Sequence, residues 1–160
     1  MAAERFITEP RFTADLAGEF EVPFVDTPGR GEASFRQVGN NRLTFTLSTR
    51  GLRDITQAHI HKGRKGRNGP IVAWLFGPST GTSRSGVLAS GTLQRRDLVG
   101  PLQGRSIQTL VRLLRAGDAY VNVHTRRYPE GEIRGQIRRA GQTAISFSGD
   151  WWRYGGTSLM

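Results

Sequence analysis

The chain contains three histidines and no cysteine, and all three histidines fall in short alternating runs. His59-Ile60-His61 is an H-x-H pair, and His124 lies near the end of Tyr120-Val-Asn-Val-His124-Thr125. On a β-strand, residues two apart point to the same face, about 7 Å apart at Cα. With Ala58 and Ile60 turned into a core, His59 and His61 share the opposite face. The same alternation sends Val121 and Val123 inward and leaves Asn122 and His124 together on the other side. In Gly131-Glu-Ile-Arg-Gly-Gln-Ile137, Ile133 and Ile137 go inward, while Glu132, Arg134 and Gln136 go outward. If these strands are neighbours, His59, His61, His124 and Glu132 form one patch. Three imidazoles with a carboxylate suit copper or zinc. The competing reading gives the histidines to a hydrogen-bond network beside a tight glycine-rich segment. It gives Glu132 and Arg134 to a solvated strand face or to cross-strand pairs.

Other chemistries lack their residues. Without cysteine there are no disulfides, thiolate metal sites or cysteine nucleophiles, and either redox compartment is compatible. No G-x-S-x-G elbow supports serine hydrolysis. The run Lys62-Gly-Arg-Lys-Gly-Arg67 lacks the closing G-K-[ST] of a phosphate-binding loop. It reads as a solvated turn, or as a polyanion contact made by Lys62, Arg64, Lys65 and Arg67 with Arg126 and Arg127. The formal charge is +10, but it is unevenly spread. Residues 1–35 carry seven acids against three arginines, a net of −4, and the remainder carries +14. A basic body suits an anionic surface polymer such as a polysaccharide or teichoic acid. Nucleic acid is disfavoured, because no recognised binding motif is present and aromatics do not interleave with the basic cluster.

The elements that must position these residues are mostly strands. A length of 160 residues suits one domain. No apolar run is long enough for a membrane-spanning helix, so no membrane insertion is expected. The first residues, as written, lack a basic segment followed by an apolar one, so no export signal is read there. Alternation marks strands at Phe12–Leu16, Ala33–Val38, Arg42–Thr49, Thr56–His61, Ile71–Phe76, Val87–Leu93, Ala119–Thr125 and Glu132–Arg138. Gly39-Asn40-Asn41 turns the second of these into the third. Residues 19–31, with Pro23, Pro28 and Gly29, read as a loop. Ser106 to Gly117 is the one helix, near 106–116, with Ser106 able to cap it, Ile107, Leu110 and Leu114 on one stripe, and Gly117 able to end it. Many short strands with glycine turns and one helix indicate an all-β antiparallel sandwich or barrel. Residues 1–9 read as an N-terminal extension, 10–138 as the domain and 139–160 as an aromatic tail. Thr143–Ser148 alternates like an added strand. Phe6, Ile7, Phe147, Trp151, Trp152 and Tyr154 are candidates for contacts between copies in a homo-oligomer.

Four blocks carry a family resemblance. They are Phe12-x-Ala14-x-Leu16-x-Gly18-x-x-Glu21-Val-Pro23; Gln57-Ala-His-Ile-His61-x-Gly63-x-x-Gly66-x-Asn68-Gly-Pro70-Ile-Val72-Ala-x-Leu75-Phe76; Leu98-Val-Gly-Pro-Leu102-x-Gly104; and Tyr120-Val-Asn-Val-His124-Thr125-x-x-x-Pro129-x-Gly131-Glu-Ile-Arg-Gly-Gln136. Over about residues 10–138 the chain resembles the CHRD domain, the module repeated in chordin and found alone in many bacterial proteins. The resemblance implies an immunoglobulin-like or superoxide-dismutase-like β-sandwich. In chordin such modules belong to an extracellular antagonist of growth-factor signalling. The chain is also similar, more faintly, to copper–zinc superoxide dismutase, which sets an H-x-H pair and a later strand histidine around copper on the outer face of a barrel. That similarity matches His59, His61 and His124 to three copper ligands. The bridging histidine, the zinc loop and the disulfide of that family have no counterpart here.

The reading that results is a non-catalytic structural or binding module with a three-histidine metal site. It is expected to self-associate at a cell or spore surface. The alternatives are a copper- or zinc-binding metalloprotein with superoxide-dismutase-like redox activity, and a polyanion-binding module.

Overall fold

A computed structural model describes residues 9–141. The candidate contacts Phe6, Ile7, Phe147, Trp151, Trp152 and Tyr154, and the added strand at 143–148, lie outside those residues. Within them, period-2 alternation becomes β1 (Arg11–Ala17), β2 (Arg30–Val38), β3 (Arg42–Arg50), β4 (Ile55–Lys62), β5 (Ile71–Phe76), β6 (Gly86–Leu93), β7 (Ala119–Thr125), β8 (Ile133–Gln136) and β9 (Arg138–Arg139). The helix α1 covers Ile107–Ala116. No helix among the described residues is long and apolar enough to cross a membrane.

All pairings are antiparallel, and hydrogen bonding runs β5-β4-β7-β8-β1-β2-β3-β6, with β9 added beside β1. The path bends into two layers. One is β5-β4-β7-β8 and the other is β1-β2-β3-β6. They are joined where β8 meets β1 through the single pair Ala17–Arg134. The two ends of the path, β5 and β6, also pack against each other, so the sandwich is nearly closed into a barrel. Gly135 permits the junction: a Cβ there would strike the Asp15 carbonyl of β1. The single strand read over 132–138 is therefore two. β8 pairs with β7, then Ile137 turns into the core and donates its N–H to Ala119, and β9 continues along β1.

The core lies between the layers. Phe12, Leu16, Phe35, Leu43 and Leu47 meet Ile55, Ala58, Ile60, Val121, Val123 and Ile133, all buried. Helix α1 closes one end with Ile107, Leu110, Val111 and Leu114. Its start and stop are as the sequence suggests. Ser106 is the N-cap, although its hydroxyl pairs with that of Thr109, 3.3 Å away, and not with a backbone N–H. Gly117 ends the helix in the left-handed region at φ 72°.

The outer face of β4-β7-β8 is not solvated. Every residue of β7 is buried, on both sides of the strand. The expectation that Glu132 and Arg134 sit on an exposed strand face is overturned: Glu132 is 7% exposed and Arg134 only 1%. Two loops cover them, residues 18–29 and the basic segment 63–70. Asn68 joins the loops by donating from Nδ2 to the Val22 carbonyl at 2.8 Å. A second, polar layer is thus buried outside the hydrophobic one.

Candidate metal centre

Strand register brings the three histidines together. β4 and β7 pair His59 with Asn122, His61 with Tyr120 and Gln57 with His124. On its other side β4 pairs His59 with Trp74 of β5, with bulges on either side of the His59–Ile60 step. Bulges re-aim side chains beside functional sites. His59, His61 and His124 each offer a ring nitrogen, and these ligand atoms all lie within 4.8 Å of one another. The ring centroids are 5.5 Å apart for His59–His61, 4.9 Å for His59–His124 and 6.4 Å for His61–His124. Trp74 sets its ring at 86° to His59 with centroids 4.2 Å apart, and Tyr120 stacks on His61.

The protonation state follows from burial. All three rings are less than 9% exposed. Burial, reinforced by repulsion from His124 and His61, lowers the His59 pKa to about 3. Burial also lowers those of His61 and His124. All three are therefore neutral at pH 7, the form that carries a ligating lone pair. His61 Nδ1 is 2.8 Å from the Gly69 carbonyl, and His124 Nδ1 is 2.7 Å from that of Pro129. A carbonyl only accepts, so both Nδ1 atoms carry the proton and both Nε2 atoms carry the lone pair. Holding a ring by its second nitrogen is how proteins orient metal-binding histidines. His61 Nε2 and both ring nitrogens of His59 are buried with no hydrogen-bond partner. An orphaned buried polar atom costs about 1–3 kcal/mol. A cation would engage such lone pairs, so the donors present fit zinc or copper.

The fourth candidate, Glu132, is engaged elsewhere. Its two carboxylate oxygens accept from the hydroxyls of Thr27 and Thr125, each at 2.6 Å. The glutamate thus ties the 18–29 loop to the end of β7. Arg134 ties down the other loop. Its guanidinium lies 3.5 Å over the Tyr120 ring and donates to Asn68 Oδ1 and to the carbonyls of Arg64 and Arg67. Gln136 donates from Nε2 to the carbonyls of Gly63 and Gly117.

The basic segment therefore turns its carbonyls inward and leaves Lys62, Arg64, Lys65 and Arg67 exposed outside. Arg126 and Arg127 are exposed as well. They do not join that cluster. Ile55 pairs with Thr125 at one end of the β4–β7 ladder and Lys62 with Ala119 at the other. Seven strand steps, about 23 Å, separate Lys62 from the end of the ladder that precedes Arg126.

Sequence reading missed several residues of this layer. Glu21 lies in the stretch read as a plain loop, yet it is 7% exposed. Burial raises its pKa to about 7, partly offset by the neighbouring Arg134. Trp74, Tyr120 and Asn68 also line the layer; Tyr120 and Asn68 stand in the family blocks, but with no role assigned to them, and Trp74 does not. Asn122 was legible as a face-mate of His124, and its Oδ1 lies 3.0 Å from His124 Nε2.

No curated protein matches the chain. The CHRD domain model matches residues 12–137, from the first residues of β1 to the turn after β8, and takes in all three histidines. That match covers most of the sequence, and the chain belongs to the CHRD domain family.

Proposed function

We propose that this CHRD domain is a metal-binding module in which His59, His61 and His124 hold one zinc or copper ion. The observation that carries the reading is the convergence of three buried, neutral imidazoles within 4.8 Å, two of them oriented by backbone carbonyls through Nδ1. The bound ion would cross-link β4 to β7 and supply Lewis acidity or, for copper, a redox centre. The chain's own part is to hold three lone pairs in place, keep them unprotonated and exclude water with the two loops.

The test uses untagged protein stripped with a chelator. One equivalent of zinc or copper is expected to bind and to raise the melting temperature by roughly 5–10 °C at a hundredfold excess over Kd. His124→Ala is expected to abolish the rise. Absence of binding by the wild-type chain to either metal would overturn the reading.

Self-association at a cell or spore surface is a second part of the proposal. It rests on the aromatic tail and on the −4/+14 charge division. Light scattering of the full chain against residues 10–140 tests it. Assembly of the full chain alone is the expected result, and monomers in both would remove it.

A further inference from the structure

Asn122 occupies the middle of the site, and its amide raises a question of charge. His124 Nε2 carries a lone pair, because its Nδ1 proton goes to Pro129. Asn122 Oδ1, 3.0 Å from that nitrogen, carries lone pairs only. Two acceptors facing each other in a buried site repel, unless a cation lies beside them. Asn122 is also the cross-strand partner of His59 on β4. The amide thus shares its face with all three rings, and the nitrogens of His59 and His61 Nε2 have no hydrogen-bond partner.

The far side of the amide borders Glu21. Asn122 Nδ2 and Glu21 Oε1 both border the space above Gly131, where an added Cβ would lie 2.9 and 2.5 Å from them. Gly131, at φ 122°, leaves that space open. Glu21 Oε1 is buried with no hydrogen-bond partner. The amide nitrogen thus lies on the side of the Glu21 carboxyl group and the amide oxygen faces His124.

We infer that Asn122 Oδ1, 3.0 Å from His124 Nε2 and on the face that carries His59 and His61, is the fourth ligand of the metal centre. This deepens the three-histidine reading and rests on it. The donor set becomes three imidazole nitrogens and one amide oxygen, all neutral. No thiolate joins it, since the chain has no cysteine. Such a set selects a divalent borderline ion, zinc or copper(II), over copper(I).

The test is a titration of the full-length chain with cobalt(II), a visible-absorbing substitute for zinc, followed by zinc competition. Wild-type protein is expected to give one intense four-coordinate cobalt spectrum. Asn122→Ala is expected to bind at least tenfold more weakly with a changed spectrum, because water replaces the amide oxygen. Asn122→Asp, which keeps an oxygen in place and adds charge, is expected to bind as tightly as wild type or tighter. An Asn122→Ala variant with wild-type affinity and spectrum would overturn the inference while leaving the three-histidine site intact. So would loss of cobalt binding in a folded Asn122→Asp protein, which keeps the test decisive if the alanine variant does not fold. A wild-type chain that binds neither ion contradicts the three-histidine reading itself.

Discussion

At the scale of single residues, the site is arranged at the expense of the metal-free fold. His59 is 1% exposed, and neither ring nitrogen has a partner. A residue retained only for packing would be apolar there, since removing a buried orphaned polar group is neutral or stabilising when shape is kept. His59→Leu is therefore expected to leave the chelated, metal-free domain as stable as wild type within about 1 kcal/mol, or to stabilise it. The same change is expected to abolish zinc and copper binding. Urea denaturation with and without metal checks both halves, and a loss of more than about 2 kcal/mol without metal would mark His59 as a structural residue. His61 and His124 are different, because each also anchors a backbone carbonyl through Nδ1. Their substitution mixes loss of the ligand with loss of a loop contact.

At the scale of elements, strands were easy to read and their cover was not. Arg42–Thr49 alternates without interruption and becomes β3; Ala119–Thr125 becomes β7 residue for residue. The burial of the outer face was hidden, because it depends on two loops whose inward groups are mostly backbone carbonyls. No side-chain pattern in Lys62–Arg67 announces that Gly63, Arg64 and Arg67 accept bonds from Arg134 and Gln136. Glu21 was missed for the same reason: its burial comes from the fold of residues 18–29 over β7 and β8, not from local alternation. Gly69 shows how tight this cover is. Its N–H donates to the Tyr120 hydroxyl at 3.0 Å, and its carbonyl accepts from His61. A Cβ at residue 69 would run into the Lys62 carbonyl. Gly69→Ala is expected to displace the loop and free the His61 ring. Metal affinity should fall about 10–100-fold, the usual effect of losing the group that orients a ligating histidine. Competition with a chromogenic chelator measures this, and unchanged affinity would remove the loop from the account.

At the scale of the whole molecule, the sandwich separates two buried layers of opposite character. The apolar layer between the sheets holds the fold together and needs no ion. The polar layer, outside β4-β7-β8 and beneath the two loops, contains the only group of three or more histidine or acidic side chains among the described residues that meets as a metal site would. The +10 charge plays little part in it. Lys62, Arg64, Lys65 and Arg67 point outward at one end of the β4–β7 ladder, and Arg126 and Arg127 sit at the other. The ion is thus expected between His59, His61 and His124 and nowhere near the cationic loop surface. The measurement that tests this most directly is an anomalous difference map, recorded at the zinc edge and at the copper edge from crystals of metal-loaded protein. The account predicts one strong peak about 2.0–2.1 Å from a ring nitrogen of each histidine. A peak elsewhere on the molecule, or none from protein shown to be loaded, would contradict it.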